Sequence, residues 1–106
     1  MTYFTVDKTR FATITDSMVD ALMEIPVETF TVSESSIKAF KDMLNLSEET
    51  SNEDLQAIRN GVVFAFSTKS SILREEQNPR YWDAQKTMSA ITAVIDDMKW
   101  KRGMAV

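Results

Sequence analysis

An all-α fold, arranged as a compact bundle of about four helices, is what this chain predicts, and three observations carry that expectation. Apolar residues recur at the 3.6-residue spacing of a helix face over four separate stretches. Asp, Ser or Asn residues suited to capping stand just ahead of those stretches. Pro26, Pro79 and Gly103 fall at their boundaries, where such residues start or stop helices. At 106 residues and 43% hydrophobic content, the chain is long enough for one core, so a single helical domain over 1–106 is expected.

The first helix is expected from about Lys8 to Ile25. Phe11, Ile14, Met18, Leu22 and Ile25 lie on one face, Asp7 reads as the N-cap, and Pro26 ends the segment. A shorter second helix follows Ser33 as N-cap, with Ile37, Phe40 and Leu44 inward, and gives way to the polar loop NLSEETSN. The third opens at Ser51 or Asn52, with Glu53 and Asp54 in a first turn where the helix dipole favours acids. Leu55, Ile58, Val62, Phe66, Lys69 and Leu73 mark its stripe as far as Glu76 or Gln77. Asn60-Gly61 followed by VVFAF also fits a turn and a strand over 61–66. The helix is preferred, because its period continues on both sides. The fourth helix follows Asn78-Pro79, with proline at N1, where a missing N–H costs nothing. Tyr81, Ala84, Met88, Ile91, Ile95 and Met98 form its inner stripe, and Gly103 stands where a terminating glycine belongs.

Phe4-Thr5-Val6 and Phe30-Thr31-Val32 each precede a cap and an amphipathic stretch, at an offset of 26 residues. A duplicated strand-then-helix unit and a coincidence of two amphipathic segments both account for the echo. In either case these aromatic and β-branched residues favour extended backbone. A minor two-stranded β ribbon from residues 2–6 and 28–32 is therefore allowed for.

Composition excludes much chemistry. The chain has no histidine and no cysteine, hence neither the side chain that titrates nearest neutrality nor the commonest soft metal ligands. Two glycines do not make a phosphate-cradling loop. No catalytic, cofactor-binding or metal-ligating residue is assigned, and no cofactor is expected. Ser35-Ser36-Ile37-Lys38 matches S-x-x-K but lacks the other motifs of that chemistry. Adjacent carboxylates such as Glu75-Glu76 and Asp96-Asp97 diverge by about 100° on a helix and read as solvated surface, as do Asp16 and Asp20 at i,i+4. The seven methionines are largely accounted for by core stripes.

Net charge is −4, with 4 Lys/Arg against 9 Asp/Glu in residues 1–50 and 8 against 7 thereafter. Such acidity disfavours nucleic acid as a partner. The one basic cluster is Lys99, Lys101 and Arg102, a contact candidate that also suits a helix C-terminus. The opening MTYFTVDKTR has no basic region followed by an apolar run, and no stretch approaches the ~18 apolar residues of a membrane span. With no cysteine to oxidise, a cytoplasmic location is expected.

What remains is an excess of large apolar groups. On the fourth helix Trp82 and Trp100 point the same way, five turns and about 27 Å apart, on a side distinct from the inner stripe. Ser89 and Ala93, both small, lie between them. Phe64 likewise points away from the third helix's stripe. Aromatic residues, Trp above all, dominate protein interfaces. Trp82, Ser89, Ala93, Trp100 and Phe64 are therefore the expected protein-contact residues. A stoichiometric regulator, inhibitor or assembly subunit follows, not an enzyme, with a protein partner and self-association through the last helix. Small acidic proteins of that kind are common among viral and mobile-element accessory factors. A helical nucleic-acid-binding regulator is the alternative, weakened by a second helix without Arg, Asn or Gln to read bases. A carboxylate-based enzyme comes third.

Overall fold

The third and fourth predicted helices set the frame, because they are the longest and a short turn folds one back on the other. A computed structural model describes residues 11–28 and 31–103. It contains α1 (Asp16–Met23), α2 (Glu34–Leu44), α3 (Asn52–Glu75) and α4 (Arg80–Lys101). Among the described residues there is no strand, and the protein is all-α. The radius of gyration is 14.0 Å, close to the ~13 Å of a compact chain of this length. Residues 2–6 and 29–30 of the expected ribbon, and the expected cap Asp7, lie outside the described residues.

The α3–α4 pair is an antiparallel hairpin. Arg59 donates to both carboxylate oxygens of Asp96 at 2.8 and 3.2 Å. One level away the Lys99 ammonium donates to Gln56, and towards the turn Gln85 donates to Ser70 at 2.8 Å. Partners rise along one helix as they fall along the other. Ser51 caps α3 by accepting from the Asp54 N–H at 3.0 Å. The Asn60-Gly61-VVFAF stretch is helical throughout, as its flanking period predicts. At the end of α3, Gln77 takes a left-handed φ of 55°. The Asn78 N–H then returns to the Leu73 carbonyl, satisfying two groups the helix end would leave open. Asn78 accepts from the Arg80 N–H at 2.9 Å, and Pro79 has helical dihedrals, so the Asn-Pro pair opens α4 as expected.

α1 is shorter than its periodicity predicts. Residues 11–15 are not helical. They run against α3, where the Ala12 N–H donates to the Ala57 carbonyl at 2.9 Å. The approach needs a residue without a Cβ: one built on Gly61 would stand 2.3 Å from the Ala12 oxygen. Thr15 then caps α1, its hydroxyl accepting from the Met18 N–H at 3.2 Å. Tertiary contact thus overrides the 11-to-14 spacing, and Phe11 is 54% exposed rather than core.

α2 begins after Ser33 as expected, with the Ser36 hydroxyl tying it to the Pro26 carbonyl at 2.7 Å. It ends at left-handed Asn45 (φ 60°), which turns Leu46 into the core. Val19 and Leu22 of α1 and Phe40 and Leu44 of α2 share that core with Leu55, Val62, Phe66 and Leu73 of α3. Ala84, Ile91, Ile95 and Met98 of α4 complete it. Fully burying one large side chain contributes about 1.5–3 kcal/mol. Together these residues hold the two short helices to the hairpin.

Candidate functional site

Because α4 buries Ala84, Thr87, Ile91, Val94, Ile95 and Met98 against the other helices, its remaining arc must face outward. At 100° per residue, positions 82, 89, 93 and 100 fall within about 20° of one line. The structure agrees: Trp82 and Trp100 are each 68% exposed, and Ser89 and Ala93 between them are also exposed. The two indoles mark the ends of a shallow floor of small side chains. Tyr81 meets the Trp82 ring edge-on at a centroid distance of 4.9 Å, bracing one indole at its root.

Beside this floor lies an open groove of about 600 Å³, walled by Val27 and Val32 and floored by Trp82, Lys86, Ser89 and Ala93. Sequence reasoning missed the wall. The β-branched residues after Pro26 suggested extended backbone but not which helix it would pass.

One flank of the same arc carries four charges. Lys86 pairs with Asp83 at 3.8 Å and Lys101 with Asp97 at 3.1 Å, all four side chains being exposed to water. Exposed pairs of this kind are weak, about 0.2–1 kcal/mol, and are readily exchanged for other partners.

Phe64 is 65% exposed but does not line this groove. It meets Phe11 edge-on at 5.8 Å, an aromatic pair on α3 where residues 11–15 cross it. The expected contact residues therefore fall into two groups, with Trp82, Ser89, Ala93 and Trp100 on α4 and Phe64 apart.

The three C-terminal cations are engaged differently. Lys99 is buried, at 7% exposure, with its ammonium on Gln56. Lys101 pairs with Asp97. Arg102 reaches across to the α2–α3 loop, donating to the carbonyls of Ser47, Glu48 and Thr50 and to the Asn52 side chain at 2.7–3.3 Å. Lys99 and Arg102 help hold the fold, whereas Lys101 and Arg102 share one open cavity with Lys41, its charge offset by Glu48 and Asp97.

Other reactive types are likewise engaged. Asp16 and Asp20 flank the Lys69 ammonium at 3.5 and 3.1 Å. The 3.1 Å contact of the Lys69 ammonium with the Asp20 carboxylate, and then the charges of both carboxylates, hold the Lys69 pKa above its ordinary value despite partial burial. Lys38 of the S-x-x-K tetrapeptide pairs with Asp42 at 2.9 Å, while Ser35 shares a hydrogen bond with Ser33. Among the described residues, no three acidic side chains converge as metal ligands would, and no helix is long and apolar enough to cross a membrane. Compared with known proteins, the chain matches no family model, no curated protein and no solved structure.

Proposed function

We propose that this protein works by stoichiometric protein–protein contact through the outer face of α4, as a regulator, inhibitor or assembly subunit without turnover. The observation that supports this most is the exposure of two tryptophans, 68% each, on one line of one helix with only small side chains between them. Leaving an indole in water forgoes about 1.5–3 kcal/mol or more of burial, and aromatic anchors of this kind carry most interface energy. The lack of histidine and cysteine supports a role in binding over catalysis, and the lack of cysteine fits a reducing, cytoplasmic setting. The nucleic-acid alternative draws little support from Lys99, Lys101 and Arg102: Lys99 is buried on Gln56, and the Arg102 guanidinium is spent on the carbonyls of the α2–α3 loop.

The test is the double variant Trp82→Ala/Trp100→Ala. Because both indoles are exposed, it should keep the wild-type circular dichroism and melt within about 1 kcal/mol of wild type. It should also lose the partner that wild type retains at a fixed molar ratio in affinity capture and reconstitution. A double variant that keeps the partner, or that unfolds instead, rules the α4 face out as the contact surface.

A further inference from the structure

We infer that the occupant of the α4 face is a second copy of this chain, paired antiparallel about a two-fold axis at the level of Ile91. This rests on the reading of that face as a contact surface. The face is a palindrome in space: Trp82 and Trp100 each lie nine residues from Ile91, and Ser89 and Ala93 each lie two residues from it. An antiparallel second copy centred there sets Trp82 against Trp100 of the second copy at both ends. Ser89 meets Ala93 of the second copy in the middle. Small residues at the crossing point let helix axes approach to about 8 Å, which the flanking indoles then enclose. The groove beside Trp82, walled by Val27 and Val32, receives the indole of Trp100 from the second copy.

Charge selects this pairing. With Trp82 as zero, Lys86, Asp97, Asp83 and Lys101 all lie on one flank, at about 40–100° around the helix. A two-fold axis perpendicular to antiparallel helices keeps that flank on the same side in both copies. Lys86, five residues before Ile91, then stands within about 1.5 Å in height of Asp97 of the second copy, six residues after it. Asp83 stands within about 3 Å in height of Lys101 of the second copy. Lys86 and Asp97, held only by weak intrahelical pairs at 3.8 and 3.1 Å, thereby gain opposite-charge partners across the interface, a contact that occurs twice. A parallel pairing would set Trp82 on Trp82 and bring Lys86 level with Lys86, with no such match.

Light scattering across a concentration series tests this with Lys86→Glu, Asp97→Lys and the double variant. Wild type should dimerise. Each single variant should weaken the dimer about tenfold, because two attractive pairs become repulsive, and the double variant should regain wild-type affinity. Residues 86 and 97 are about 16 Å apart within one helix, so such a rescue is intermolecular. A dimer abolished by Trp82→Ala/Trp100→Ala but showing no rescue overturns the antiparallel register and leaves the contact surface standing. A wild type that stays monomeric at all concentrations overturns self-pairing. If that monomer binds another protein through the two tryptophans, the surface reading survives and only its occupant changes. A dimer indifferent to all these variants overturns both.

Discussion

Gly61 is where a single methyl group would be felt most. Glycine inside a helix costs about 1 kcal/mol relative to alanine, so Gly61→Ala in isolation should stabilise α3. Here the added Cβ would stand 2.3 Å from the Ala12 carbonyl oxygen and 3.2 Å from the Ile14 side chain. The backbone of residues 11–15 would have to lift, giving up the Ala12–Ala57 hydrogen bond. Overpacking of this kind costs about 1–3 kcal/mol, so Gly61→Ala should lower the urea midpoint despite the gain in helix propensity. A raised midpoint would show that the 11–15 segment contributes nothing to stability. Lys69 gives a pH signature. Its pKa is raised in the folded protein by Asp20 and Asp16, so its share of stability is fully present below the unfolded value near ~10.4. That share is lost as pH rises through the folded value. The melting-temperature gap between wild type and Lys69→Met should therefore hold steady from neutral pH to about 10 and narrow above it. A gap unchanged in strong alkali would remove the ion pair from the account. Neither feature was legible in the sequence: a glycine in a helical period looks like a blemish, and Lys69 reads only as a stripe residue until α1 brings its acids from 49 and 53 positions away.

Periodic helices were legible where their neighbours confirm the same face. α3 and α4 match their predicted spans closely, because each carries several turns of apolar repeat with a clear start, Ser51 as the cap of α3 and Asn78-Pro79 ahead of α4. α1 did not, because Phe11 and Ile14 fit a helix period as well as they fit a segment crossing α3. Spacing over so short a stretch does not separate the two, and the glycine beneath decides it. The α2–α3 connection was read as a plain polar loop, yet it buries Leu46 and receives Arg102 from the far end of α4. Bonds from a guanidinium to neutral acceptors contribute about 1.5–3 kcal/mol in sheltered settings and less at an exposed site. Arg102→Ala should accordingly cost about 1 kcal/mol and speed amide exchange in residues 45–51 relative to the α3–α4 hairpin. Uniform exchange across the protein would show that the arginine does not hold the loop.

At the scale of the whole molecule, the sequence foretold a helical bundle and the outward line of Trp82, Ser89, Ala93 and Trp100, since both follow from a 100° step. It could not foretell the groove wall of Val27 and Val32, which depends on where the chain passes after Pro26, or the separation of Phe64 from the α4 group. The same arrangement has a practical consequence for spectroscopy. The chain contains only two tryptophans, and both sit in water on the outside of one helix while the core is built from aliphatic residues and phenylalanine. In the folded but undocked chain, intrinsic indole emission should be nearly blind to whether the interior is packed, peaking at long wavelength as in the denatured one. What it reports is occupancy of the α4 surface, so a blue shift on titration is a direct optical readout of docking, with no label required.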